Sequence, residues 1–245
     1  MPTRAAGVRE RARAQLVGEI LAAARTKLAA DGAADLSLRS IARDLGMASS
    51  AMYRYFPSRD ALLTALVIDA YDAVGDVAEA SAADARAAGA GPGPVWLAVA
   101  RSYRSWALEN RASFDLVYGT PVRGYDAPQD TVAPALRLWR VIASVLGEAL
   151  ARDELTPRAT SPETRDLLRP VVLEVAGVPA GQSAPPHVAD AAARSVALYA
   201  GLVGAVTTEL AGHYADVTTD PSRLFDVTVQ TMALGAGLAV ELPAR

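Results

Sequence analysis

The sequence predicts an all-α protein, and three observations carry that prediction. Ala, Leu and Arg, all good helix formers, are abundant among its 245 residues. Apolar residues recur every three or four positions, and no stretch alternates polar and apolar side chains as a half-buried strand would. Hydrophobic residues make up 51% and charged residues 21%, which suits a folded chain with a sizeable core and not a disordered one.

The helices are read in order. Arg9 to Ala30 places Leu16, Ile20, Ala24 and Leu28 on one face. Asp31-Gly32 ends it, because glycine takes the left-handed cap conformation without strain. Leu38–Leu45 and Ser49–Tyr55 are two short helices, and Arg59 to about Ala80 is a long one. AAGAGPGP, residues 87–94, breaks the pattern. Val95–Asn110 resumes it with Trp96, Tyr103 and Trp106 on one stripe, followed by Arg111–Tyr118 and a loop from Gly119 to Pro128. Helices are then expected over Thr131–Arg152, Pro162–Ala176, Val188–Tyr214 and Pro221–Leu242. No fixed-period repeat is present, which argues against a solenoid.

Several function classes recede. With no cysteine there are no disulfides, thiolate metal sites or cysteine nucleophiles. The only histidines are His187, in a Pro-rich loop, and His213, near a helix end beside Asp216, where a capping role outweighs an acid–base pair or a metal site. No HExxH, GxSxG, P-loop or dinucleotide-binding glycine pattern occurs. An enzyme is the remote alternative: no catalytic residue, metal site or cofactor is expected. The first twenty residues lack the apolar core of a secretory signal, and the longest apolar run, Val196–Val206, is too short to span a bilayer. A cytoplasmic protein with no membrane partner is the expectation.

The net charge of −3 hides an asymmetry. Residues 1–60 hold ten Arg and Lys against six acids, a surplus of four, which leaves −7 for the remainder. A basic first quarter on an acidic body suits a polyanionic partner at that end.

The stretch SLRSIARDLGMASSAMYRYF, residues 37–56, says what kind of partner. Ser37 is suited to cap a helix from Leu38. Ile41 and Leu45 share a face, Ala42 is small where a second helix crosses, and Gly46 sits where the chain turns. Met47, Met52 and Tyr55 continue the buried side. This is the pattern of a helix-turn-helix. The outward residues of its second helix are then Ser49, Ser50, Tyr53 and Arg54, which suit base edges and phosphates in a major groove. Ser37, Arg39, Tyr55 and Arg59 are expected at phosphates, Arg59 from the start of a helix, and Arg9, Arg11 and Arg13 as an additional arm over the backbone.

SLRSIARDLGMASSAMYRYFPSRDALL, with its preceding helix, resembles the DNA-binding domain of TetR-family transcriptional regulators over roughly Arg9–Ala70. The Ser37-Leu38-Arg39 entry, Ile41-Ala42, Leu45-Gly46-Met47, Tyr53-x-Tyr55-Phe56 and Asp60-x-Leu62-Leu63 carry the resemblance together. Two departures stand out. Ala48 replaces the usual capping Ser or Thr of the recognition helix, which hands the cap to Ser49 and shifts the helix start by one residue. Arg59 replaces a usual lysine. Further on, NRASFDLVYGTPVRGYDAP and LYAGLVGAVTTELAGHY are similar to a C-terminal subgroup named for a Trp-His-Gly motif, with Tyr199, Val203 and Gly204 at the motif positions.

The resemblance implies a helix-turn-helix domain over residues 1–58 and a larger helical ligand-binding and dimerisation domain over 59–245. It also implies a repressor of double-stranded operator DNA that a small-molecule effector releases. The alternative is a DNA-binding regulator without such an effector, controlled by a protein partner. Trp96, Tyr103, Trp106, Phe114, Tyr118, Trp139 and Tyr199 are the candidate lining of an apolar or aromatic ligand site. A single recognition helix makes few contacts, so a homodimer on a palindromic site is expected. Its interface is read from the last two long helices, with Ala197, Gly201, Gly204, Ala205 and Thr208 facing Leu224, Val227, Thr231, Leu234 and Leu238.

Overall fold

The structure, a computed structural model, describes residues 4–156 and 167–243, with side chains from residue 10 onward. Among these residues the regular elements are helical. They are α1 Arg4–Asp31, α2 Leu38–Asp44, α3 Ser49–Met52, α4 Arg59–Ala87, α5 Pro92–Glu109 and α6 Arg111–Tyr118. A 3-10 turn at Gln129–Thr131 leads to α7 Val132–Ala135, α8 Arg137–Ala151, α9 Pro170–Val175, α10 Pro186–Leu210 and α11 Pro221–Gly235. One isolated antiparallel bridge joins Leu155 to Leu238. The all-α prediction holds.

Glycine sets several of the helix ends, and two of them correct the sequence reading. The last helix does not run to Leu242. Gly237 takes φ +83°, its N–H reaches the carbonyl of Leu234 at 3.0 Å, and the N–H of Leu238 reaches that of Ala233 at 2.8 Å. This is the double closure of a left-handed cap. The preceding helix closes the same way at Gly212, so Tyr214 and His213 lie beyond it. The helix expected from Thr131 is interrupted around Pro134, which has no N–H to donate. Residues 162–166 of another expected helix lie outside the described residues, and helix there is found over Pro170–Val175.

Packing divides the chain into two compact units. The first holds the residues up to Tyr71 together with Asn110–Val132; the second holds Asp72–Glu109 and the chain from Ala133 onward. The first unit thus reaches past residue 58 into the first turns of α4, and it takes in α6. Its core holds Ile20, Leu38, Ile41, Met52, Leu62 and Leu63, with Leu36, Phe56 and Leu66 beside them.

The second unit buries Trp96, Tyr103, Leu138, Ile142, Leu146 and Leu202. Two of its buried indoles are anchored: Trp96 Nε1 donates to the carbonyl of Val229 at 3.0 Å, and Trp139 Nε1 to Ser195 Oγ at 2.9 Å. Arginines bind the helices to one another. Arg101 grips Asp226 at 2.9 and 2.7 Å, and Arg104 holds Glu209 while lying over the ring of Phe225. Arg137 on α8 reaches Asp72, Asp76 and Glu79 on α4, at 3.0, 2.6 and 2.6 Å. It lies across Gly75, where a Cβ would come within 2.5 Å of its Nε. Buried Arg194 pairs with Asp190 and donates to the carbonyls of Thr156, at 2.8 Å, and Ala236, at 3.2 Å. Helix α10 is long and apolar enough, by length and composition alone, to cross a membrane. Its buried Asp190–Arg194 pair and its packing on α8 and α11 account for it as a core helix.

Candidate nucleic-acid interface

The turn between α2 and α3 is built as its sequence requires. Gly46 takes φ +65°, its N–H reaches the carbonyl of Arg43 at 3.1 Å, and Met47 N–H reaches that of Ala42 at 2.8 Å. Ile41, Ala42 and Met52 are fully buried between the two helices. Lys27 on α1 holds Asp44 at 3.2 Å and so fixes the end of α2.

With that side buried, the other is presented to solvent. Ala48, Ser49, Ser50, Tyr53 and Arg54 are exposed, as are Ser37 and Arg39 on the approach to and start of α2. Ser37 caps α2, accepting from the N–H of Ser40 at 3.5 Å. Ser49 does not take over the cap of α3. Ala48 holds the cap position in an extended conformation, without a side-chain bond, and the helix begins at Ser49. The last turn of the expected helix is not regular either, for α3 proper ends at Met52.

Two of the expected phosphate contacts are engaged within the unit. Arg59 Nη2 donates to the carbonyls of Ala33, at 2.6 Å, and Ala34, at 3.1 Å. Its guanidinium therefore braces the turn after α1, and only its backbone N–H keeps the expected place at the start of α4. Tyr55 is half-buried against the core, with the Arg13 guanidinium 5.6 Å above its ring. A cation over an aromatic face fixes both partners modestly. Arg43 is a cation the sequence reading passed over: it stands one helical turn from Arg39 on α2 and is exposed. Arg39, Arg43 and Arg54 form no ion pair among the described residues. A face with exposed cations, hydroxyls and one tyrosine, backed by a rigid apolar core, is equipped to meet phosphates and base edges.

The seven aromatics expected to line one ligand site are divided between the units. Phe114 and Tyr118 pack together at 5.1 Å in the first, where Tyr118 also meets the ring of Tyr71 edge-on. Trp96, Tyr103, Trp106, Trp139 and Tyr199 belong to the second, all buried except the half-buried Tyr199. The expected interface residues also separate. Ala197, Gly204, Val227, Thr231 and Leu234 are exposed, and Gly201, Thr208 and Leu224 are half-buried. A Cβ on Gly201 would meet Met232 Sδ at 2.9 Å, so this glycine serves the contact of α10 with α11. Ala205 is buried, and Leu238 is buried beyond the end of α11, so neither belongs to an outward helix face. Among the described residues no cluster of His, Asp and Glu is arranged to hold a metal ion.

Comparison with known proteins agrees with this geometry. Residues 20–66 match the family described as bacterial regulatory proteins, tetR family, and residues 96–232 match the tetracyclin repressor-like C-terminal domain. Over 241 residues the chain is 38% identical to the HTH-type transcriptional regulator Rv1816 of Mycobacterium tuberculosis, and equally to Mb1846 of Mycobacterium bovis. Each alignment covers 95% of this chain and 96% of the relative. Among solved structures, that of a regulatory protein, SCO4313, superposes with a TM-score of 0.71 at 30% identity, covering 95% of this chain and 98% of the other. A helix-turn-helix with an open basic face, joined to a helical body of this kind, makes the chain a member of the TetR family of DNA-binding transcriptional regulators.

Proposed function

We propose that the protein is a homodimeric repressor that sits on a palindromic operator and leaves it when a small apolar or aromatic molecule binds its larger helical region, residues 59–245. The observation that carries the DNA side is the exposed row Ser49, Ser50, Tyr53 and Arg54, standing directly over fully buried Met52. Such a row offers donors and acceptors on one side of a short helix while the other side cannot move.

Dimerisation is supported by an uncovered apolar strip on α10 and α11. Val196, Val227 and Leu234 are 38%, 42% and 51% exposed, and Gly204 opens onto empty space. Large aliphatic side chains left in water on two adjacent helices suit burial by a second copy. An effector is supported by the buried tryptophans and tyrosines of the second unit. The N–H groups of Trp96 and Trp139 are already satisfied within the chain, so what their rings offer a neighbour is apolar surface. Release follows if the guest prefers a dimer whose two recognition helices are not about 34–36 Å apart, the spacing of one DNA turn.

The test is to retain random duplexes on the pure protein and sequence what stays bound. The expected product is one palindrome with half-sites a helical turn apart, released by an aromatic compound from a small-molecule panel. Retention without sequence preference would overturn the operator reading, and a palindrome that only a protein from the cell displaces would favour the effector-free alternative.

A further inference from the structure

Helix α6 and the loop after it lie some sixty residues beyond the recognition helix, yet they are built into the same core. Leu116, Val122 and Tyr125 pack against the cluster that contains Met52 and Phe56. Two polar contacts attach this segment to α4. Tyr125 Oη and Thr64 Oγ1 share a hydrogen bond of 3.0 Å, and Tyr71 Oη donates to the carbonyl of Val117 at 3.2 Å. Thr64 and Tyr71 are seven residues apart, so both lie on one face of α4, two turns from each other. The loop is shaped to make the contact. Tyr125 N–H closes a turn on the carbonyl of Val122 at 3.1 Å, and Gly124 takes φ +76°, the left-handed third position that favours glycine.

We propose that Tyr125 is a positioning residue for DNA recognition: through Thr64 it holds the first turns of α4, and with them the short helix α3, at the angle the operator requires. The helix it positions has little of its own to fix it. Helix α3 is four residues long, lacks a side-chain cap, and is joined to α4 by the six residues Tyr53–Ser58, of which Phe56 is buried in the core. Its orientation is therefore inherited from the core behind it. Arg25 on α1 holds Asp69 on one flank of α4, and the Tyr125 contact holds Thr64. Burial pushes the Tyr71 phenol above its ordinary pKa, and the neighbouring Tyr125 adds to the effect. The Tyr125–Thr64 bond is itself partly buried, which strengthens it relative to one in open water.

This inference rests on DNA binding alone and not on release by an effector. The experiment uses the full chain and the duplex selected by the wild type, with an unrelated duplex as control. Tyr125→Phe and Thr64→Val each remove one hydroxyl, and Thr64→Ser keeps it. We expect each of the first two to weaken operator binding about fivefold, the size of one lost hydrogen bond. Their combination should weaken it no further, and Thr64→Ser should restore it. Affinity for the unrelated duplex and the salt slope should stay unchanged, because no phosphate contact is touched. A lower melting temperature with unchanged operator affinity in every variant would reduce Tyr125 to a core residue and overturn the proposal. A wild-type protein that selects no sequence would sink the DNA reading itself, and this inference with it.

Discussion

Arg59 and Ala33 are joined by a hydrogen bond of 2.6 Å, from a guanidinium at the start of α4 to a carbonyl in the turn after α1. The second bond, to Ala34 at 3.1 Å, makes the same side chain a brace between two helix ends. Arg59→Ala should therefore cost stability, about 1–2 kcal/mol given that the side chain is 32% exposed. Thermal melting should record the loss. The slope of operator affinity against salt should not change, as it would if this guanidinium neutralised a phosphate.

The cations that remain open carry the opposite expectation. Replacing Arg39 or Arg43 with Ala should weaken binding to all duplexes alike and reduce the salt slope by about one unit each. Arg54→Ala should instead cost about 1–3 kcal/mol on the selected operator and far less on an unrelated duplex. Fluorescence titrations at several salt concentrations separate the two patterns.

Gly201 and Gly204 are one turn apart on α10 and should answer differently to the same change. In Gly204→Leu the added Cβ has nothing of its own chain within 4 Å, and leucine is the better helix former by about 0.5–1 kcal/mol. Sedimentation should then show folded monomers, because the only surface disturbed is the one proposed to face a second copy. Gly201→Leu drives into Met232 and should lower the melting temperature by the equivalent of about 1–3 kcal/mol.

Asp226 accepts two bonds from Arg101, and these hold its carboxyl below the usual carboxylate range. A carboxyl whose pKa falls on folding adds stability above its unfolded value, about 3.9, and that contribution is lost as the pH drops through the folded value. Urea unfolding across the acid range should show this decline. In Asp226→Asn the protein should be less stable at neutral pH, and its stability should fall less steeply below about pH 4.

What the sequence disclosed was local. The turn at Gly46 was readable because only a few residue types tolerate its backbone, and the outward row Ser49, Ser50, Tyr53 and Arg54 followed from helical periodicity once the turn was placed. The end of α11 was misread because LGAGL continues an apolar pattern, while the decisive event is a backbone sign at Gly237. Contacts between distant segments left no trace of this kind. Nothing in the composition of Tyr125 distinguishes it from any loop tyrosine, and nothing in Arg59 tells a phosphate contact from a carbonyl contact 26 residues away. Periodicity reports which side of a helix is buried, not which neighbour buries it.

Arg137 touches Asp72, Asp76 and Glu79, three acids spaced so that they line a single stripe of α4, and it crosses that helix at the one residue without a side chain to obstruct it. A helix gripped along one stripe cannot roll about its own axis without breaking all three pairs at once. The latter half of α4 and α8 are thereby geared together through one side chain. Gly75→Ala would strip the gear while leaving every charge in place.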